Sequence, residues 1–284
     1  LILEKIAIIT DSSSDLSKEF VEKYNINMLP FRIIYKDREF SDGVDITTKE
    51  ICENLHKEIP TSSLPSMKDM EDTFKKLEGE NYTHAIIITL SSQLSGLYNA
   101  VKLASENHPT IKSYVFDSKI ISYAHGAIAM ECAEMIKSGA SFDEIVVKLP
   151  EMRKKATGFY VVGTLEYLKK GGRIGRVAGT IAELLHIKPI ISVDDQGHYY
   201  TRDKVRGRKQ SISRMLSIGN ELLDKNKQDV YIIHGEAEEE ARKLLAEYEK
   251  HPNINRAYFG GYVSAVSGVH SGPGFIAVVF YEAQ

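Results

Sequence analysis

Short, continuously apolar runs alternate with stretches of helical spacing through the first half of this 284-residue chain. The runs are Ile6 to Thr10 (IAIIT), Met28 to Tyr35 (MLPFRIIY), His84 to Leu90 (HAIIITL) and Ser113 to Asp117 (SYVFD). Apolar residues at consecutive positions over so few residues predict strands buried on both faces, as in a parallel sheet covered by helices. Between the runs, Met67, Met70, Phe74 and Leu77 recur at helical spacing, as do Leu94, Leu97, Tyr98 and Val101. Thr47 with Glu50, Ser66 with Asp69 and Ser141 with Glu144 stand at capping-box spacing and mark three helix starts. This half reads as an α/β/α layer built on a parallel sheet.

After a helix through Met152 the rhythm changes. Strands are expected at Phe159 to Gly163 and Lys188 to Asp194, followed by a turn at Asp195 to Gly197 and a further strand through HYYTRDKVRG. A Gly-containing turn between adjacent strands predicts a hairpin, which a purely parallel sheet does not contain. A helix near Gln210 to Leu223, a strand at Val230 to Gly235, a charged helix from Glu236 to Lys250 and the apolar run Phe275 to Tyr281 complete the chain. The predicted fold class is α/β in two domains: a parallel α/β/α domain over residues 1–156, then a mixed β-sheet with helices over residues 157–284. The length agrees with that division at roughly 150 residues per domain.

Composition adds exclusions. With 43% hydrophobic and 26% charged residues the chain is neither disordered nor fibrous. Its 36 Lys and Arg against 39 Asp and Glu give a net charge of −3, so bulk charge draws it to neither nucleic acid nor an anionic membrane. Cys52 and Cys132 lie far apart in helical stretches, without metal or redox spacing, so neither a disulfide framework nor a zinc site is expected. No window reaches the ~18 apolar residues of a membrane span, and LILEKIAIIT lacks the cationic start and cleavage site of a signal peptide. A reducing cytoplasm is the expected compartment, and the sequon at Asn81 is then chance. Because Leu1 is not a methionine, the chain is expected either to lack a few natural residues or to carry added ones.

Three hydroxyl-rich segments carry candidate chemistry: TDSSSD (Thr10 to Asp15), TSSLPS (Thr61 to Ser66) and SSQLSG (Ser91 to Gly96). Ligands of open α/β sheets bind beyond the carboxyl ends of the strands, where the loops after Thr10 and Leu90 would be neighbours. Hydroxyls and free N–H groups there suit a carboxylate or phosphate, while the same residue types are the ordinary helix caps. In LEYLKKGGRIGR, Lys169 and Lys170 suit a helix C-terminus broken at Gly171, which leaves Arg173 unexplained. Arg202, Lys204, Arg206, Arg208 and Lys209 form a second basic run, read as a solvated strand face and secondarily as a docking surface. His270 falls in a Gly- and Pro-rich loop before the last strand. With no HExxH, GxSxG, dinucleotide or P-loop pattern, a hydrolase using Ser92 or Ser95 with His270 as base remains open only on spatial grounds.

Taken together, TDSSSDL, TSSLPS, SSQLSGLYNA, FDS at Phe116 to Ser118, LEYLKKGGRIG, KPII and HSGPG stand in the order and spacing of the DegV family, which the chain resembles over essentially its whole length. The resemblance implies a two-domain fold with a long-chain fatty acid of the palmitate, stearate or oleate class bound between the domains. It implies a lipid-carrying subunit with no complete active site, no metal and no cofactor beyond the fatty acid. That subunit presents the carboxylate to a separate ATP-binding kinase subunit for conversion to acyl phosphate. By the same resemblance Thr61, Ser62, Ser92, Ser95, Arg173 and His270 bind the carboxylate, and Arg173 and a protonated or donating His270 support phosphoryl transfer. Where the family often has SGTY, this chain has Leu97, so one hydroxyl is missing. Burying about fourteen methylenes at roughly 0.8 kcal/mol each is worth ~11 kcal/mol before entropy losses. A different anionic amphiphile, or a purely regulatory role, is the other reading.

Overall fold

Alternate side chains of the first strand enter two different cores, and this alternation fixes the order of the layers. The computed structural model describes residues 4–181 and 187–283; Leu1 lies outside the described residues. In β1 (Ile6–Asp11), Ile8 joins one core while Ala7 and Ile9 join another. The same division runs through β6 (His84–Thr89), with Ile86 and Ile88 on one side and Ala85 and Ile87 on the other. With β2 (Ile26–Leu29) and β7 (Lys112–Asp117) these strands form an all-parallel sheet in the order β2-β1-β6-β7.

One face of this sheet is covered by α2 (Thr48–Asn54), α3 (Met67–Gly79) and α4 (Leu97–Glu106), through Ile51, Met70, Phe74, Leu77 and Val101. The other is covered by α5 (Tyr123–Lys137) and α6 (Phe142–Lys155). The three capping boxes at Thr47, Ser66 and Ser141 are all formed. A short helix α1 (Lys18–Lys23) connects β1 to β2.

The run Met28 to Tyr35 is not one strand. Pro30 has no N–H for a ladder, and the chain changes sheet around it. Beyond it, β3 (Arg32–Ile34) is the centre of a separate antiparallel sheet with β4 (Glu39–Ser41) and β5 (Thr61–Ser63), in the order β4-β3-β5. The hydroxyl-rich segment TSSLPS therefore begins as a strand.

From Ala156 the chain builds a six-stranded mixed sheet in the order β10-β9-β8-β13-β11-β12. Its strands are β8 (Ala156–Val161), β9 (Ile187–Val193), β10 (Tyr199–Arg206), β11 (Gln228–Gly235), β12 (Ile254–Tyr262) and β13 (Phe275–Glu282). The β9-β10 pair is the expected antiparallel hairpin, and Gly197 at φ +96 occupies its turn. The helices of this half are α7 (Glu166–Lys170), α8 (Ala178–Ile181), α9 (Arg208–Leu223), α10 (Glu238–Tyr248) and α11 (Ala265–Ser271). Phe159, Ile232 and Val278 pack on α9 and α10, whereas Tyr160, Ala277 and Val279 share a core with α5 and α6. The α5/α6 layer thus lies between the two sheets and belongs to both.

Neither β12 nor α11 was expected, and His270 is in the last turn of α11 rather than in a loop. Only seven residues long, α11 is held by the first half of the chain. Asp42 accepts hydrogen bonds from Ala265 N–H at 2.7 Å, Val266 N–H at 3.2 Å and Ser12 Oγ–H at 2.7 Å. Asp15 accepts from Ser264 N–H at 2.8 Å and from Ser122 Oγ–H at 2.5 Å. Thr48 Oγ1–H donates to the Val263 carbonyl.

Charge-assisted bonds to a helix start are worth roughly 1–3 kcal/mol apiece before the cost of burying the carboxylate. Asp42→Ala is therefore expected to lower unfolding stability by about 2–4 kcal/mol, with Asp42→Asn, which keeps an acceptor oxygen, losing less. Urea denaturation measures both, and an Asp42→Ala midpoint equal to wild type would show that the latch holds nothing.

Candidate functional site

Where α11 meets the two sheets, the structure forms a cavity that is partly open to solvent. Its walls are largely apolar, with Leu90, Leu94, Ile120, Leu168, Val263 and Val279 among them. Leu90 follows β6, and Ser13 and Asp15 follow β1, so the cavity lies beyond the carboxyl ends of two neighbouring parallel strands.

Four predicted residues converge on its polar end. Ser62, Ser95, Arg173 and His270 all line the cavity. Ser62 Oγ lies 2.7 Å from His270 Nε2, joining β5 to α11. Ser95 Oγ accepts from Leu97 N–H at 3.3 Å, and Leu97 itself is buried under the parallel sheet rather than facing the site. Arg173 is exposed, donates to the Gly171 carbonyl at 2.6 Å, and pairs with no carboxylate among the described residues. It also lines an outer groove that shares Leu94, Ser95 and Tyr199 with the cavity, so the polar end is the end that reaches the surface.

The other two predicted residues do not join them. Thr61 is exposed and absent from the cavity wall: neighbours on a strand face opposite ways, and Ser62 takes the inward position of β5. Ser92 lines only the outer groove, and its hydroxyl donates to Asp117 Oδ2 at 2.6 Å while its N–H donates to Oδ1 at 3.0 Å. The hydroxyl is committed to Asp117 of the FDS segment, which accepts from both Ser92 groups.

The protonated form expected for His270 is also not the favoured one. Burial, then the nearby charge of Arg173, pushes its pKa down to about 4, so the ring is neutral at pH 7. A neutral ring still donates from one nitrogen, and its Nδ1 has no partner among the described residues. That geometry weakens the hydrolase reading. Ser92 and Ser95 are not against His270, Ser62 is, and no carboxylate orients Nδ1. The imidazole sits so close to Gly171 that a Cβ there would lie 2.1 Å from Nδ1. Gly171, read above as the helix break, keeps helical dihedrals and is a clearance for His270; the left-handed turn that ends the helix is at Gly172, φ +71.

The remaining hydroxyls of the three segments mostly hold the scaffold. Asp11 Oδ1 accepts from Ser13 N–H at 3.0 Å, Oδ2 accepts from Leu90 N–H at 3.0 Å, and Ser91 Oγ–H donates to the Gly197 carbonyl at 2.8 Å. A Cβ at Gly197 would lie 2.1 Å from Ser91 Oγ. The basic run is partly neutralised: Arg208 forks onto Glu240 at 2.9–3.3 Å, and Arg202 lies over the Phe159 ring.

Sequence reasoning missed Tyr160, Tyr199, Ser267 and Ser271, which also line the cavity. The serines had a signal: read as a helix, residues 267, 270 and 271 fall on one face. The tyrosines had none, since buried strand positions carry aromatics routinely. Asp15 faces the cavity too, and burial raises its pKa to about 6.

A family model described as an uncharacterised protein of the DegV family matches residues 5–283. A DegV domain-containing protein of Clostridium acetobutylicum is 55% identical, covering 99% of this chain and 100% of its own. Among solved structures, DegV, a fatty acid binding protein from Bacillus subtilis, is similar with TM-score 0.90 and 32% identity over 99% of this chain and 100% of that one. A stearic acid-binding protein from Eubacterium ventriosum is similar with TM-score 0.88 and 29% identity, covering 98% of each chain.

Gly171→Ala is expected to push the imidazole away from Ser62, moving the His270 pKa from about 4 up toward its ordinary value. Histidine NMR titration reads this, and an unchanged titration would mean the ring is not confined by Gly171. Asp15 supplies a pH dependence of its own. Its folded-state pKa lies above the unfolded 3.8, so the folded state holds the proton more tightly and stability falls as pH rises from about 4 to about 6. Relative to Asp15→Asn, wild type should lose about 3 kcal/mol across that window. Parallel stability–pH curves for the two proteins would refute the assignment.

Proposed function

The chain belongs to the DegV family, and on that premise we propose that it binds a long-chain fatty acid and presents the carboxylate to a separate ATP-binding kinase subunit for phosphorylation to acyl phosphate. The observation that carries this reading is the polarity of the cavity: apolar walls, with Ser62, Ser95, Arg173 and His270 gathered at the end that opens to the surface. An acyl chain in the apolar part leaves the water, and its carboxylate, costly to bury alone, meets a guanidinium and hydroxyl donors. The fatty acids bound by the Bacillus and Eubacterium relatives support the same ligand class.

The kinase step is supported by the resemblance and by Arg173. The carboxylate oxygen attacks the γ-phosphorus of ATP held by the partner, ADP leaves, and the acyl phosphate carries more negative charge than the acid it replaces. An exposed guanidinium at the mouth suits that charge. Neutral, part-buried His270, bonded to Ser62, suits a role in orienting Ser62 and the carboxylate, and a bound anion would offset the Arg173 charge that depresses it. In this reading residues 1–156 and 157–284 are two domains that share the cavity, and the protein works in the cytoplasm. Among the described residues no helix is long and apolar enough to cross a membrane.

Protein purified under mild conditions should carry fatty acid in native mass spectrometry and rebind stearate or oleate after delipidation; a protein that remains empty and binds neither would refute the binding role. With a partner kinase and ATP, Arg173→Ala is expected to bind the acid more weakly and to slow acyl phosphate formation by at least tenfold, the scale of one lost charge-assisted contact. Formation at the wild-type rate would remove Arg173 from the transfer step.

A further inference from the structure

Two hydroxyls of the cavity wall have no hydrogen-bond partner among the described residues. Tyr160 and Ser271 are 7% and 4% exposed, both line the cavity, and neither hydroxyl makes a hydrogen bond among the described residues. The Tyr199 ring stands edge-on to Tyr160 with centroids 5.4 Å apart, and the two hydroxyls interact at a geometry short of a hydrogen bond. Buried hydroxyls are nearly always paired, because leaving one unpaired forfeits its hydration without return. A saturated acyl chain offers no partner to either. Their side chains come from different elements, β8 and α11, so a local turn or cap does not account for both.

Their position along the cavity is also defined. Ser271 directly follows His270 in α11. Tyr199, the neighbour of Tyr160, lines both the cavity and the outer groove that holds Arg173. Both unpaired hydroxyls therefore belong to the carboxylate side of the cavity, whereas apolar residues such as Leu90, Ile120 and Val279 make up the walls elsewhere.

We infer that the preferred ligands are long-chain acids bearing a hydroxyl close to the carboxyl end, with Tyr160 and Ser271 as its hydrogen-bond partners. The inference rests on the fatty-acid reading above and narrows it to a class of acid. A ligand hydroxyl at that depth both donates and accepts, so it satisfies the two protein hydroxyls at once. A hydroxyl far down the chain would lie among apolar walls and lose its hydration with no compensation.

The test is competition binding of stearate, 3-hydroxystearate and 12-hydroxystearate to delipidated protein. Wild type is expected to favour 3-hydroxystearate over stearate by about three- to tenfold, the range of one net hydrogen bond, and to bind 12-hydroxystearate less tightly than stearate. In the Tyr160→Phe/Ser271→Ala variant the ratio of 3-hydroxystearate to stearate affinity is expected to fall to about one. That readout is a ratio within one protein, so a general loss of affinity leaves it intact, and circular dichroism melts confirm that the variant folds. A wild-type ratio of one or less, or a preference that survives both substitutions, overturns the inference while leaving fatty-acid binding standing. Failure of all three acids to bind wild type overturns the underlying reading, and this inference with it.

Discussion

The buried carboxylates of Asp15 and Asp42 hold the site together. They come from different loops of the first half of the chain, yet they accept hydrogen bonds from three consecutive N–H groups, Ser264, Ala265 and Val266, at the start of α11. A seven-residue helix containing two serines and a glycine has little stability of its own. Fixing its first turn fixes its last, and the last turn carries His270 and Ser271. Two buried carboxylates do this at a cost, visible in the raised pKa of both.

The cavity follows from how the layers end. Helices α5 and α6 separate the two sheets over most of their shared face, and Tyr123, Ile128 and Leu149 fill that space. Ile120, Ile121 and Ser122, immediately before α5, line the cavity instead. The space beyond the first turn of α5 is bounded by the loops after β1 and β6, by β8 and β13, and by α11. A ligand pocket between two sheets needs no special tunnel architecture; it needs a shared helical layer that stops short.

At the mouth, charge is divided between two groups. Arg173 keeps its cation in contact with water, where its desolvation cost is small, and His270 is part-buried beside it and stays neutral. On the proposed function, a carboxylate meets the guanidinium first and the hydroxyl and imidazole after it. Two glycines make this possible: Gly172, at φ +71, turns the chain out of α7 toward Arg173, and Gly171 leaves room for the imidazole.

By itself the sequence determined the periodic parts of the fold and the chemistry of the mouth. Apolar runs such as IAIIT and HAIIITL identified the central parallel strands because burial on both faces leaves no other residue choice, and the three capping boxes identified helix starts because their hydrogen bonds are local. The motif order brought Ser62, Ser95, Arg173 and His270 into one proposal. Tertiary structure decided the rest, wherever the stabilising partner is distant in sequence. It split MLPFRIIY between two sheets at Pro30, and it turned VSGVHS into a helix through carboxylates more than 200 positions away. It faced Ser62 inward and Thr61 outward, gave the Ser92 hydroxyl to Asp117, and left His270 neutral. Residue type and spacing state which groups are available; which of them keep a free hydrogen bond depends on contacts that only the folded chain creates.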